Sequence, residues 1–375
     1  MAISMMKLGS SGEMKQPSHA EGMYRPKAIS LLMLMLGLLF LILYLILLGV
    51  DTNELLRRIS TADKRMIIVA IIMDTFYILF YAFAWFFIVR AVFKGVKLRD
   101  AVLIVLVGWF ADMLVPAAFV TGELVRLYLL KRIYRVNYSK TAATIVVHRL
   151  LSALAFALFV GIGLMFLAET PLSSSEEFKH FSFIAVLAGI TVVVGVLFII
   201  QIENIAEGLG YFISKVGKSE YMRRILKKIK IEESLESFIT SIALLKRHRV
   251  EVLLGFALLI LQWGLGVSVP YVVFEALGYH MSYWKLAVAF PIYGLADNVP
   301  VGIPVNAGVL DAAMISMFIL LGAPRDIAVG ATFLTRAITV IYEAILTGLV
   351  TVTVVPRILG EKVPLPQEDR QRTWS

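Results

Sequence analysis

Long apolar segments recur along the whole chain, and each is about as long as a lipid bilayer is thick. A helix crosses the hydrocarbon core with about 20 apolar residues. Six segments of that kind are predicted to be transmembrane helices: 28–50, 66–89, 141–168, 181–200, 250–274 and 327–355. Of the 375 residues, 59% are hydrophobic and 17% are charged, which excludes an ordinary soluble domain. The expected fold is an all-α, polytopic integral membrane protein.

Two further apolar regions, 101–132 and 285–322, are interrupted near the middle by proline, glycine and polar residues. Each half is too short to cross a bilayer alone, so both regions are predicted to be re-entrant helical hairpins. Broken backbone persists at membrane depth only where protein or a water-filled cavity satisfies its hydrogen-bonding groups. The alternative is that one or both regions cross the membrane completely.

The charges in the loops orient the chain. The segment 168–181 carries three glutamates and one lysine, whereas 203–249 is rich in Lys and Arg. Lys and Arg favour the cytoplasmic side, so 203–249 is expected inside, as a charged and partly amphipathic helical linker. The tails, 1–27 and 356–375, then also lie in the cytoplasm of a plasma-membrane protein. The loop after the first span disagrees, because this orientation places four of its basic residues outside: Arg57, Arg58, Lys64 and Arg65.

The predicted segments divide the membrane part into two halves, 28–202 and 250–355. In chain order they also form two sets, each of span, span, hairpin and span, and the second set begins with the fourth span, 181–200. One set starts from inside and the other from outside, so together they form an inverted-topology repeat, which is typical of secondary transporters. The spacing supports this interpretation: seven residues separate Pro116 from Glu123, and seven separate Pro304 from Asp311. A register that matches Pro116 to Pro300 is the alternative.

Ionisable residues inside the membrane are the candidate site residues. Each costs roughly 2.5–3.5 kcal/mol at a helix centre, and such residues usually pair or face a polar cavity. Structural ion pairs are the alternative explanation, and Asp74, isolated in the second span, is assigned to helix packing. Together with nearby polar residues of the hairpins, the predicted substrate-binding residues are Asp112, Glu123, Arg126, His148, Arg149, Asp297, Asn298, Asn306, Asp311, Arg336 and Glu343.

These residue types favour a ligand with a phosphate group. Arginine binds phosphate through a planar fork, and the N-termini of broken helices add N–H donors. The carboxylates satisfy the arginines when no anion is bound and are able to carry protons. The sequence contains no cysteine, no nucleotide-binding loop and no metal-ligand motif, so no cofactor or metal is expected. The net charge of +9 comes from basic residues that lie between the apolar segments, where they orient the chain in the membrane, so a nucleic-acid partner is not expected either.

The residues of three stretches are similar to a known family: GWFADMLVPAAFVTGELVRLYLL, AATIVVHRLLSALAF and PVNAGVLDAAMISMFILLGAPRDIAVGATFLTRAITVIYEA. They resemble the flippase-like transmembrane region of lysylphosphatidylglycerol synthases. The resemblance extends over most of 28–355. The family's interrupted hairpin and charged residues map in the first half onto Pro116, Gly122, Glu123, Arg126 and Arg149, and in the second onto Pro304, Gly308, Asp311 and Arg336. Asp311 stands where glutamate is expected, and Asn306 and Ala307 stand where glycine is usual.

This resemblance implies that the chain moves a lipid between leaflets. It does not imply lipid aminoacylation, because that chemistry belongs to a separate soluble domain of the synthases, which is not expected in the tail after the last span. We therefore expect a flippase for an anionic phospholipid or lipid-linked intermediate, and not an enzyme. The alternatives are an integral-membrane enzyme acting on polyprenyl-phosphate or lipid substrates, and a non-transporting scaffold. The compatible partners are anionic membrane lipids, envelope-biosynthesis enzymes and a second copy of the chain.

Overall fold

A computed structural model describes residues 52–115, 120–169, 231–297 and 303–360, with isolated positions and short runs within 35–46 and 176–204. The predicted spans 28–50 and 181–200 lie mostly outside this part of the chain. So do the tail 1–27, the residues after 360 and much of the predicted linker. Pro116, Asn298 and Pro300 are also outside the described residues.

The described residues form α-helices without strands, which confirms the all-α prediction. The helices are α1 (Thr52–Thr61), α2 (Lys64–Val92), α3 (Leu98–Leu114), α4 (Val120–Tyr134), α5 (Tyr138–Ala168), α6 (Ile231–Arg247), α7 (Arg249–Ala276), α8 (Tyr283–Asp297), α9 (Val309–Leu320), α10 (Arg325–Arg336) and α11 (Glu343–Gly360). A 3-10 turn, Pro304–Asn306, precedes α9, and a π-helical turn, Ala337–Tyr342, joins α10 to α11.

Four described helices are long and apolar enough to cross a membrane: α2, α5, α7 and the joined helix Arg325–Ile358. They coincide with the predicted spans 66–89, 141–168, 250–274 and 327–355. α2 and α7 pack along each other over most of their length, and α5 packs against both. The helix α6 lies in the segment predicted to be a helical linker, and its Ile242 and Leu245 are buried against α2 and α5.

Both interrupted regions fold into antiparallel helical hairpins. At the open end of the α3–α4 hairpin, the Tyr134 hydroxyl accepts from the Lys97 N–H at 3.0 Å and donates to Asp100. At the open end of the α8–α9 hairpin, Lys285 Nζ donates to the Leu321 carbonyl at 2.7 Å. The arms contain 17, 15, 15 and 12 residues, so each is shorter than the roughly 20 residues that cross a bilayer.

The hairpins enter the helix bundle from opposite ends. The open end of α8–α9 adjoins the end of α7, where Tyr279 donates to the Gly322 carbonyl, and the N–H of Asp63 before α2 donates to Ala276 at this same end. The open end of α3–α4 adjoins the other end of α2, where the rings of Phe93 and Tyr134 are 5.8 Å apart. The inner ends of the hairpins meet, since α3 contacts the turn Pro304–Asn306.

The basic loop that disagreed with the charge rule carries its own counter-charges. Glu54 pairs with Arg57 at 2.8 Å and with Arg58 at 3.0 Å, and Arg58 also pairs with Asp326 at the start of α10. The hydrogen bond from Arg57 lowers the pKa of Glu54 below its usual value, so this carboxylate stays ionised. Part of the positive charge of this loop is therefore locally compensated.

Candidate functional site

A cavity of about 610 Å³ lies between the inner ends of the two hairpins. Residues of α2, α3, α4, α5, α7, α8, α9, α10 and α11 line it, together with the turns Pro304–Asn306 and Ala337–Tyr342. Eight of the eleven predicted site residues are among them: Asp112, Glu123, Arg126, Arg149, Asp297, Asn306, Arg336 and Glu343. Residues far apart in the sequence therefore border one cavity. The matching residue spacing in the two halves did not by itself predict this convergence.

In the first half, Glu123 lies between two arginines. Its carboxylate accepts from Arg126 Nη1 at 2.9 Å and from Arg149 Nε at 2.7 Å. The Arg149 side chain is 39% exposed and reaches the cavity, whereas that of Arg126 is 3% exposed. Glu123 alone therefore neutralises only one of these two guanidinium groups.

Arg126 is held in place by aromatic rings as well as by Glu123. Its guanidinium carbon lies 4.4 Å from the centre of the Trp85 ring, a cation–π contact that stabilises a desolvated cation. Its Nε and Nη2 atoms have no hydrogen-bond partner among the described residues. Buried donors of this kind are costly unless a ligand or water satisfies them, so the cluster is suited to an anion.

The arms α3 and α4 meet at two glycines beside Asp112. A Cβ atom on Gly122 would lie 2.7 Å from the Gly108 carbonyl oxygen and 2.1 Å from Asp112 Oδ2. The N–H of Gly122, in the first turn of α4, donates to Asp112 Oδ1 at 2.6 Å. Asp112 thus satisfies a donor at the start of a helix, which explains this carboxylate structurally in addition to its place on the cavity wall.

In the second half, Arg336 ties the helix α10 to the turn before α9. Its Nε donates to Asp311 Oδ1 at 2.9 Å, and its Nη2 donates to the Val305 carbonyl at 2.5 Å. Asp311 Oδ2 in turn accepts from the N–H of Gly308 at 2.7 Å, which caps α9. Arg336 and Asp311 therefore repeat the relation of Arg149 to Glu123.

The turn itself is strained. Val305 has φ of 49° and Asn306 has φ of 48°, in the left-handed region that β-branched residues rarely adopt. The Asn306 amide nitrogen donates to the Asp297 carbonyl oxygen at 2.7 Å, and Arg336 holds the Val305 carbonyl. Strain of this kind costs about 1–3 kcal/mol and is concentrated at functional sites.

Two described residues of the predicted site, Asp311 and His148, are not on the cavity wall. Asp311 lies behind Arg336, and Asn298 is outside the described residues. His148 is fully buried, with its ring centre 4.4 Å from that of Tyr81, and neither ring nitrogen has a hydrogen-bond partner among the described residues. Tyr81 lines the cavity, so His148 supports the wall from behind.

Asp74 lines the cavity instead of serving only helix packing, which corrects the sequence interpretation. It is 1% exposed, and Glu343, which lines the same cavity, is 4% exposed. The adjacent Thr75 and Tyr342 hydroxyls lie 2.5 Å apart, which brings α2 close to the start of α11. Trp109 Nε1 donates to Glu343 Oε2 at 2.5 Å. Glu343 directly follows the π-helical turn, a distortion that is frequent at functional sites. In the sequence, the feature that marks Asp74 as a candidate site residue is that it is an isolated acidic residue within an apolar span.

Neutral polar groups of the cavity wall were missed. Gln262 Oε1, the Tyr293 hydroxyl and Thr335 Oγ1 are buried, line the cavity and have no hydrogen-bond partner among the described residues. Buried polar atoms in proteins are nearly always bonded, so these groups indicate a polar occupant. Only Gln262, an amide in the middle of an apolar span, gave a sequence signal.

The inner end of the first hairpin presents an apolar surface beside the charged cluster. Leu114, Val115, Val120 and Leu124 are all exposed, and they adjoin Asp112 and Glu123 in sequence. The cavity wall continues from Asp112 to Met113. In a membrane, exposed apolar side chains contact lipid tails. The site therefore combines a polar interior with an apolar border.

Comparisons with known proteins agree with the resemblance in the sequence. The family model described as the lysylphosphatidylglycerol synthase TM region matches residues 30–346. A UPF0104 membrane protein of Methanocaldococcus jannaschii is 22% identical over 340 residues, which cover 89% of this chain and 97% of the relative. A UPF0104 membrane protein of Pyrococcus horikoshii is 24% identical over 338 residues, which cover 85% of this chain and 95% of the relative.

Proposed function

The chain belongs to the lysylphosphatidylglycerol synthase transmembrane-region family, and we propose that it is a flippase that moves an anionic lipid between the leaflets of the plasma membrane. The observation that carries this proposal is the cavity that three arginines line between two hairpins entering from opposite ends. The proposed cargo is a phospholipid or lipid-linked intermediate with a phosphate in its headgroup. In this proposal the protein carries the lipid and performs no chemical step on it.

The first-half cluster supports an anionic headgroup. Glu123 neutralises only one of the charges of Arg126 and Arg149, and Arg126 has two buried donors without a partner among the described residues. A phosphate oxygen accepts such donors in charge-assisted hydrogen bonds. Arg336 offers a further cation on the cavity wall, anchored by Asp311 and the Val305 carbonyl.

The apolar border supports a lipid over a soluble anion. A headgroup in the cavity leaves its acyl chains beside the exposed Leu114, Val115, Val120 and Leu124, where they remain in the hydrocarbon region. Transfer of the headgroup alone avoids the cost of moving the chains out of lipid. In the proposed inverted repeat, the two hairpins alternate in giving the headgroup access to the two leaflets.

The proposal is tested in vesicles of phosphatidylcholine that contain a trace of fluorescent phosphatidylglycerol. A reductant added outside bleaches the outer leaflet, and the protein-dependent loss of the remaining fluorescence measures translocation. We expect Arg149→Ala and Arg336→Ala to slow translocation about 10- to 100-fold, since a hydrogen bond to a charged group contributes about 1.5–3 kcal/mol.

The matched control is Arg57→Ala, because Arg57 is 68% exposed on α1 and is not on the cavity wall. This variant should translocate lipid as the wild type does. A wild-type protein that is folded but moves no fluorescent lipid contradicts the proposal. Folded Arg149 and Arg336 variants with wild-type rates contradict the assigned site.

A further inference from the structure

Two carboxyl groups face each other at the cavity wall. Asp74 of α2 and Glu343 of α11 both line the cavity, and each side chain is at least nine-tenths buried. The hydroxyls of the adjacent Thr75 and Tyr342 lie 2.5 Å apart, so the two helices bring the carboxyl groups to the same part of the wall. The indole N–H of Trp109 donates to Glu343 Oε2, while Asp74 Oδ2 has no hydrogen-bond partner among the described residues. This buried oxygen therefore lacks a donor among the described residues, and a proton on the pair would supply one.

Within the described part of the chain, no Lys, Arg or His forms an ion pair with either carboxyl. Arg336, seven residues before Glu343, is already bound to Asp311 and Val305. α7 contributes the neutral Gln262 to the wall. The other titratable or charged groups that line the cavity, besides Arg336, are Tyr77 and Tyr81 of α2, Asp112 of α3, Glu123 and Arg126 of α4, Arg149 of α5, and Tyr293 and Asp297 of α8. The pair thus faces further acids and polar groups, with both neighbouring arginines engaged elsewhere.

Electrostatics favours a proton as the occupant of this pair. Two adjacent carboxylates buried without a cation repel each other strongly, whereas one shared proton turns the repulsion into a hydrogen bond. A metal ion is a poorer fit, because two carboxyl groups and no histidine supply few of the ligands that a protein metal site holds. The described residues also contain no group of three or more His, Asp or Glu side chains arranged to hold a metal.

The charge of the whole cavity makes the proton relevant to an anionic ligand. Five carboxyl groups line the wall against three guanidinium groups: Asp74, Asp112, Glu123, Asp297 and Glu343, and Arg126, Arg149 and Arg336. If every group were ionised, the excess would be negative and would repel a phosphate. A proton on the pair reduces this repulsion, so proton binding and anion binding favour each other, and the coupling is reciprocal.

We propose that the Asp74–Glu343 pair is a proton-binding site, and that one proton bound there travels with the anionic headgroup in each transport event. This inference rests on the proposed lipid transport. A proton moving with a singly charged lipid transfers no net charge, so a pH gradient drives the process and a membrane potential does not. The lipid accumulates in the leaflet on the alkaline side, to about tenfold per pH unit at most.

The experiment measures the leaflet distribution of fluorescent phosphatidylglycerol at steady state, in vesicles with and without a pH gradient of one unit and with the potential clamped. We expect enrichment on the alkaline side for the wild type, and a ratio near unity for Asp74→Asn and Glu343→Gln. The ratio is an equilibrium quantity, so a slow variant still reports it. Glu236→Gln, on the exposed face of α6, is the control and should retain the response.

Two failures are distinguishable. If the wild type moves no labelled lipid under any condition, the transport proposal fails. If the wild type moves lipid but the leaflet ratio of the labelled lipid does not change with the pH gradient, or changes with a sodium gradient instead, lipid transport stands and the proton inference is overturned.

A second measurement does not depend on transport. Because Trp109 bonds Glu343, its fluorescence in detergent should show a pH-dependent step that Trp109→Phe and Glu343→Gln remove. The absence of that step in the folded wild type would also overturn the inference.

Discussion

Arg336 holds the second hairpin through hydrogen bonds in two directions, to Asp311 and to the carbonyl of the strained Val305. Lysine keeps the charge but lacks the planar fork, so Arg336→Lys is expected to lose one of the two bonds and to lower the free energy of unfolding by about 1–3 kcal/mol. Thermal unfolding in detergent measures this. Arg65→Lys, at the exposed start of α2, is the control, and an equal melting temperature for both variants would contradict the assigned role.

Ionisable residues of the site were predictable from the sequence because a charge inside an apolar span is costly and requires a partner or a polar cavity. Glu123, Arg149 and Arg336 were recognised in this way. Their partners were not all predictable: Glu123 and Arg126 are three residues apart on one helix and so are able to pair, while the bond of Glu123 to Arg149 depends on how α4 packs against α5. Tyr293 and Thr335 gave no signal, because neutral hydroxyls cost little in a helix and only the fold shows them without partners on a cavity wall.

The first hairpin depends on close contact between its two arms. Alanine at position 122 would place its Cβ 2.7 Å from the Gly108 carbonyl, so Gly122→Ala must push α3 and α4 apart. Overpacking of this kind costs about 1–3 kcal/mol, and we expect a lower melting temperature together with slower lipid translocation. Gly161→Ala in α5 is the matched control, because a Cβ there meets nothing within 4 Å. Unchanged stability of Gly122→Ala would mean that the arms are not packed this closely.

The helices were predictable as elements, since apolar length alone defined four of the long spans to within a few residues. The breaks in 101–132 and 285–322 also predicted helical hairpins correctly. The geometry of the second break could not be derived, because left-handed backbone at the β-branched Val305 contradicts local preference and its carbonyl is held by the distant Arg336. Whether the hairpins re-enter on their own side of the membrane stays a prediction.

Two distant parts of the molecule meet at one end of the bundle. Arg58 of α1 pairs with Asp326 at the start of α10. The orientation predicted from the loops places this end outside, and that orientation stays a prediction. The open ends of the hairpins lie at opposite ends of the bundle, as an inverted repeat requires. Composition and loop charge predicted this pattern, because each span reverses the side on which the next loop lies.

Labelling from one side of the membrane tests that orientation directly. The chain contains no cysteine, so single cysteines report without background. In intact cells, a membrane-impermeant maleimide is expected to label Arg57→Cys on α1, while Glu236→Cys on α6 becomes reactive only after permeabilisation. Both positions are exposed, so burial does not account for a difference. Labelling of Glu236→Cys but not of Arg57→Cys in intact cells would show that the predicted orientation is reversed. Labelling of both positions from one side would exclude an odd number of crossings between them, and with it the inverted repeat.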